Sequence, residues 1–145
     1  MKTLLVTGAA GFIGANFVRR ALTQQPDRHI VALDALTYAG NLENLAGLAE
    51  CGRFEFVHAD ICDDAAVADV LDRSVWGVVN FAAESHVDRS IQGAAEFVRT
   101  NVLGTQVLLD QSRRHGVQKF LQVSTDEVYG SLGPVGEFTE TSPQA

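Results

Sequence analysis

The apolar positions of this 145-residue chain fall into five short runs, at residues 3–7, 30–33, 54–59, 77–81 and 119–123. Runs of this length bounded by turn residues read as strands. The run at 77–81 is apolar apart from Asn80, as expected of a strand covered on both faces. Between the runs the apolar residues recur at helical spacing. Residues 12–23 predict a helix with Phe12, Ile13, Phe17, Val18, Ala21 and Leu22 on an inward stripe. Further helices are predicted over 41–49 and 64–71, and a long one over 94–115 that stops at Gly116. Strand and helix alternate without an internal repeat or a low-complexity linker. The pattern predicts an α/β fold, a doubly wound parallel sheet of strand order 3-2-1-4-5. Gly8, Asp34, Asp60, Ala82 and Ser124 then all fall at the carboxyl ends of strands, where such sheets bind ligands.

The first turn carries the strongest local signal. Thr7-Gly8-Ala9-Ala10-Gly11-Phe12-Ile13-Gly14 joins the first strand to the first helix with glycines spaced G-x-x-G-x-x-G. Gly8 permits the tight turn, Gly11 removes a side chain where a pyrophosphate approaches, and Gly14 lets the helix lie close to the strand. The helix N-terminus offers N–H groups and a partial positive charge to phosphate. Three glycines also suit a bland loop. Asp34, twenty residues after Gly14 at the end of the second run, tips the balance. A carboxylate there accepts ribose hydroxyls and repels a 2′-phosphate, and no Lys or Arg follows it closely, so the pattern favours NAD over NADP.

Composition changes this picture little. Apolar residues make up 46% and charged residues 20%, ordinary globular values. The net charge of −7 argues against nucleic acid or an anionic membrane surface as partner. No run is long enough to span a membrane. Cys51 and Cys62 match no metal or redox spacing, which suggests reduced thiols and a cytoplasmic protein with no metal. The apolar stretch after Lys2 is cut by three glycines and does not read as a signal peptide.

The second informative stretch is Val123-Ser124-Thr125-Asp126-Glu127-Val128-Tyr129-Gly130, which leaves the fifth strand at the ligand rim. An adjacent Asp and Glu are usually a solvated pair. At the end of a central strand beside a nucleotide turn they are candidates for general acid and base work.

These stretches, together with Asp34-Ala35-Leu36-Thr37-Tyr38-Ala39-Gly40-Asn41, Asp60-Ile61-Cys62-Asp63 and Phe81-Ala82-Ala83-Glu84-Ser85-His86-Val87-Asp88-Arg89-Ser90, resemble the extended short-chain dehydrogenase/reductases. Among them the likeness is to the dTDP-glucose 4,6-dehydratase family, and it covers the whole chain. The resemblance implies a Rossmann fold and NAD as cofactor. It implies that Phe12 and Ile13 lie over the pyrophosphate, that Asp34, Ala35, Leu36 and Thr37 surround the adenosine ribose, and that Asp60 and Ile61 flank the adenine. Phe81, Ala82, Ala83, Glu84 and Ser85 would border the cofactor, Ser85 also nearing the sugar, with Thr100 contacting the cofactor from the long helix. His86, Cys62, Asp88 and Arg89 are assigned no chemistry.

By the same resemblance the substrate is dTDP-glucose, met by Ser85, Thr125, Asp126 and Glu127. C4 is oxidised, Glu127 removes the acidified C5 proton, Asp126 protonates the departing C6 hydroxyl, and hydride returns to C6. Thr125 would hydrogen-bond the C4 oxygen. The superfamily also uses a Tyr-x-x-x-Lys pair, which this sequence lacks: Tyr38 and Tyr129 are its two tyrosines and neither has Lys four residues on. Residues 1–145 are therefore expected to be the NAD-binding domain of a longer enzyme, inactive alone and lacking a C-terminal substrate domain. The apolar surplus on the 94–115 helix, Phe97, Val98, Val102, Val107, Leu108 and Leu109, is expected to serve a homodimer. The alternatives are an epimerase or decarboxylase of nucleotide sugars, which the Asp126-Glu127 pair disfavours, and a non-catalytic NAD-binding module.

Overall fold

A computed structural model describes residues 1–86 and 93–144. Val87, Asp88, Arg89 and Ser90 of the quoted motif lie outside the described residues. The elements in order are β1 (Lys2–Thr7), α1 (Phe12–Gln24), β2 (Arg28–Asp34), β3 (Phe54–His58), α2 (Asp64–Leu71), β4 (Val75–Asn80), a helical run over 94–114 and β5 (Lys119–Gln122). The described strands form one five-stranded parallel sheet of order β3-β2-β1-β4-β5, as the alternation predicts.

Strand alternation divides the core between the two faces of the sheet. On one face Leu5, Val31, Leu33 and Val78 meet Val67, Val70 and Leu71 of α2 and Leu108 of the helical run. On the other, Val6, Ile30 and Ala32 meet Ala15, Val18, Ala21 and Leu22 of α1. The helices thus cover both faces and leave the carboxyl ends of the strands open at one rim. β5 is an edge among the described strands, and its Leu121 is exposed.

Four elements differ from expectation. Phe12 and Ile13 are not on the inward stripe; they stand 82% and 63% exposed. The reason is packing: Gly14 and Ala15 take the buried positions of the first turn, because α1 must lie against the Gly8 turn. A Cβ on Gly14 would lie 2.2 Å from the Gly8 carbonyl oxygen. The predicted helix over 41–49 is instead two short 3₁₀ turns, Leu42–Leu45 and Ala49–Cys51. Only Leu45 of that stretch is buried, so no apolar face pays for a longer helix, and Gly47 breaks it at φ +78. β4 starts at Val75 and ends at Asn80, one residue short of Phe81. The long helix is regular at Ala94–Phe97 and Thr105–Arg114 but π-helical over Val98–Gly104.

Candidate functional site

Two adjoining clefts open at the carboxyl rim. The first is lined by Gly8 and Gly11 of the glycine turn, by Asp34, Ala35 and Thr37 after β2, by Asp60 and Ile61 after β3, by Phe81, Ala82, Ala83 and Glu84 after β4, and by Thr100 of the π segment. The second is lined by Ser85, Thr125 and Glu127, with Gln122, Ser124 and Asn101. Ala82, Ala83 and Glu84 line both clefts and form the partition between them. Most of the predicted cofactor residues are thereby gathered in one cavity and most of the predicted sugar-facing residues in its neighbour. Ser85 lines only the second. Among the described residues Phe12, Ile13, Gly14 and Leu36 do not line the first.

The glycine turn is held by Asp34. Gly8 turns the chain at φ +61, and a Cβ there would fall 2.6 Å from the Ala82 nitrogen. Asp34 is almost fully buried; its Oδ2 accepts the Ala10 N–H at 2.8 Å and its Oδ1 the Leu36 N–H at 2.8 Å. A carboxylate carries about four lone-pair sites, so these two bonds leave acceptor capacity for ribose hydroxyls. Leu36 contributes through this N–H at φ +51 rather than through its side chain. No side chain caps α1, whose N-cap is Gly11, so its first N–H groups stay free for an anion. Side-chain-free glycines, an uncapped helix N-terminus and a buried carboxylate with spare lone pairs are the features a dinucleotide needs. Gly40, absent from the predicted set, also belongs here: it lines the first cleft, and a Cβ on it would lie 2.7 Å from Asp34 Oδ1. The stretch Tyr38-Ala39-Gly40 was visible in sequence, but not its approach to Asp34.

A polar chain, buried at Thr7 and Asn80 and reaching the surface at Gln122, runs from the partition to β5. Thr7 Oγ1 donates to Asn80 Oδ1, which also accepts the Ala82 N–H at 3.2 Å. Asn80 Nδ2 donates to Gln122 Oε1 at 2.8 Å, and Gln122 Nε2 to the Val123 carbonyl at 3.2 Å. Side chains at the ends of β1, β4 and β5 are linked in this way. From above, Asn101 of the π segment grips the partition: its Oδ1 accepts the Glu84 N–H and its Nδ2 donates to the Glu84 carbonyl, both at 2.8 Å. Neither Asn80 nor Asn101 was singled out in the sequence, since lone asparagines give no periodic signal.

The strand-five carboxylates diverge. They begin a 3₁₀ turn, Asp126–Tyr129, after Thr125 in extended conformation. Glu127 and Thr125 line the second cleft; among the described residues Asp126 does not, and both carboxylates are exposed. Adjacent residues in a 3₁₀ turn point about 120° apart, so one cleft cannot receive both side chains in this conformation.

Asp60 Oδ1 accepts the Cys62 N–H at 2.9 Å and its Oδ2 is ion-paired with Arg99 at 3.1 Å. Burial pushes this carboxyl up, but the Cys62 and Arg99 donors outweigh it and hold it below its ordinary value. The Cys62 thiol is pushed up by burial and by the neighbouring Asp60, and it donates to the Arg99 carbonyl at 3.3 Å. A thiol pushed in this direction carries less of the thiolate that a nucleophile needs. Cys51 and Cys62 are both free, and the His86 ring lies edge-on to Tyr38, centroids 5.8 Å apart.

Residues 5–145 match the family model described as GDP-mannose 4,6 dehydratase. The chain belongs to that family. Within it, this dehydratase-family chain is 56% identical over 143 residues to the low-salt glycan biosynthesis protein Agl12 of Haloferax volcanii, covering 98% of this chain and 45% of that protein. It is 56% identical over 142 residues to a dTDP-glucose 4,6-dehydratase of Streptomyces griseus, covering 97% and 42%. Its fold superposes with a TM-score of 0.92 on DesIV, a dTDP-glucose 4,6-dehydratase from Streptomyces venezuelae solved with NAD and TYD bound, at 52% identity over 99% of this chain and 45% of that one. The dehydratase-family chain thus spans less than half the length of these relatives.

Proposed function

We propose that this chain is the NAD-binding part of a dTDP-glucose 4,6-dehydratase. The observation that carries the reading is the pair of clefts sharing the wall Ala82-Ala83-Glu84, one suited to a dinucleotide and the other presenting Thr125 and Glu127. The first cleft would hold NAD, with its pyrophosphate at the Gly8–Gly11 turn, ribose hydroxyls on Asp34 and adenine beside Asp60 and Ile61. The nicotinamide, when bound, supplies the reversible redox chemistry that makes C4 of the sugar a ketone and later reduces C6.

The chain's own residues do the proton work. A C4 ketone acidifies the C5 proton, and Glu127 removes it as general base. Thr125 donates a hydrogen bond to the C4 oxygen and orients the sugar, with Ser85 lining the same cleft. Asp126 protonates the departing C6 hydroxyl; this requires the 126–129 turn to rotate its carboxyl into the second cleft when the sugar is bound. Acid and base roles for adjacent carboxylates need environments that separate their pKa values, and closure of the cleft over Asp126 supplies that asymmetry.

The test uses the protein that carries these residues together with the remainder found in its relatives. Supplied with dTDP-glucose, it should release a 4-keto-6-deoxy product. Glu127→Gln and Asp126→Asn should each slow release by about 10²–10⁴-fold, the usual contribution of a positioned proton-transfer group. A C4-epimerised sugar as the product would place the protein with the epimerases instead. The 145 residues alone, which contain no Tyr-x-x-x-Lys, should release no product.

A further inference from the structure

We propose that Arg99 is a positioning residue for base recognition: it fixes the Asp60 carboxylate so that the first cleft accepts the 6-amino group of adenine and disfavours a 6-oxopurine dinucleotide. The proposal rests on the reading of that cleft as a dinucleotide site.

Asp60 lines the cleft, whereas Arg99 does not; its Nη2 meets Asp60 Oδ2 at 3.1 Å. Each carboxylate oxygen is occupied once from the protein side, Oδ1 by the Cys62 N–H and Oδ2 by Arg99 Nη2. Arg99 is itself placed by the π segment, where its carbonyl accepts the Cys62 thiol, and its neighbour Thr100 lines the same cleft. An ionised carboxylate has lone pairs but no donor, so one acceptor site on each oxygen remains for a ligand. An exocyclic amino group donates to such a site. A carbonyl at the same purine position sets lone pair against lone pair and leaves both unsatisfied.

The discrimination depends on the carboxylate staying in place. The Asp60 side chain is 39% exposed, so without its ion pair the carboxylate is tied to the protein only through Oδ1 and the Cys62 N–H, and its Oδ2 is no longer fixed toward the base. A guanidinium holds a carboxylate with directional donors, which a lysine ammonium does less well.

The experiment is a calorimetric titration of the protein that carries these residues together with the remainder found in its relatives, stripped of bound dinucleotide, with NAD, with nicotinamide hypoxanthine dinucleotide and with NADP. The unaltered chain should bind NAD about tenfold more tightly than the hypoxanthine form, the scale of one hydrogen bond lost at a partly exposed site. Arg99→Leu should reduce that preference to about twofold, by weakening NAD while leaving the hypoxanthine form within about twofold of its original affinity. Arg99→Lys should restore part of the preference. Asp60→Asn, whose amide can donate as well as accept, should bring the two affinities together by a separate route. Equal weakening of both dinucleotides by Arg99→Leu would make Arg99 merely structural and overturn the proposal. An unaltered chain that prefers NAD to NADP but binds both bases equally would also overturn it, while leaving the dinucleotide site standing. A chain that binds none of the three would overturn both.

Discussion

At the scale of single residues, the first cleft depends on groups that each serve the fold and the ligand together. Asp34 is the clearest. Its carboxylate ties the glycine turn to the 34–36 segment through Ala10 and Leu36, and the same carboxylate faces the cleft. Asp34→Asn keeps one acceptor oxygen but sets an NH₂ against a backbone N–H. We expect it to weaken NAD by about 1–3 kcal/mol and to lower the thermal midpoint, measured by calorimetry on the same samples. Binding of NADP as tightly as NAD by the unaltered chain would show that Asp34 does not select the cofactor. Gly14 acts by absence. Gly14→Ala puts a methyl group 2.2 Å from a carbonyl oxygen that cannot swing aside, so α1 must move off the turn. Destabilisation of about 1–3 kcal/mol or more is expected in urea denaturation, with loss of NAD binding even where the fold survives.

At the scale of elements, local chemistry and tertiary demand agree in some places and part in others. Helix α2 obeys its local signals. Asp63 at the N-cap accepts from the Ala65 and Ala66 N–H groups at 3.1 Å, and Asp64 places a second acid in the first turn. Asp63→Ala should therefore cost about 0.5–2 kcal/mol in chemical denaturation, the range for a lost N-cap. An unchanged midpoint would mean that α2 is held by packing alone. The 41–49 stretch has helical spacing, yet its backbone is claimed elsewhere: the Asn41 N–H and the Asn44 side chain both donate to the Ala10 carbonyl of the glycine turn. The π segment is the converse case. Nothing in the run Val98-Arg99-Thr100-Asn101 marks an irregular helix, but there Thr100 lines one cleft, Asn101 the other, and Arg99 reaches Asp60.

At the scale of the whole molecule, one surface remains unexplained by the described sheet. The 94–114 run turns Gly104, Leu108, Gln111 and Ser112 inward and leaves Val98, Val102, Leu103 and Leu109 exposed, from 44% to 64%. Two apolar faces on one helical run exceed what packing on a single sheet uses. We propose that the outward face serves a homodimer. Light scattering at micromolar concentration should return twice the protomer mass for the protein carrying these residues, and Val102→Glu should return it to the monomer. A monomeric mass for the unaltered protein would remove the proposal. Among the described residues no helix is long and apolar enough to cross a membrane.

The amino-acid sequence by itself determined the strand order, the α/β class and the placing of Gly8, Asp34, Asp60, Ala82 and Ser124 at one rim, because hydrophobic period and glycine spacing are local properties written along the chain. It also carried the family, since the motifs 34–41, 81–86 and 124–130 are contiguous. Tertiary structure alone decided which of those residues share a cavity. Ser85 and Thr125 meet in the second cleft because β4 and β5 are neighbours, while the 126–129 turn sends Asp126 away from Glu127. It likewise decided the residues with no sequence signal at all. Asn80 reaches Gln122, Asn101 holds Glu84 and Arg99 holds Asp60 across 42, 17 and 39 positions of chain. Partners separated in this way are brought together by the burial of Leu5, Val31 and Val78 in one sheet, and no window of sequence contains the information that they meet.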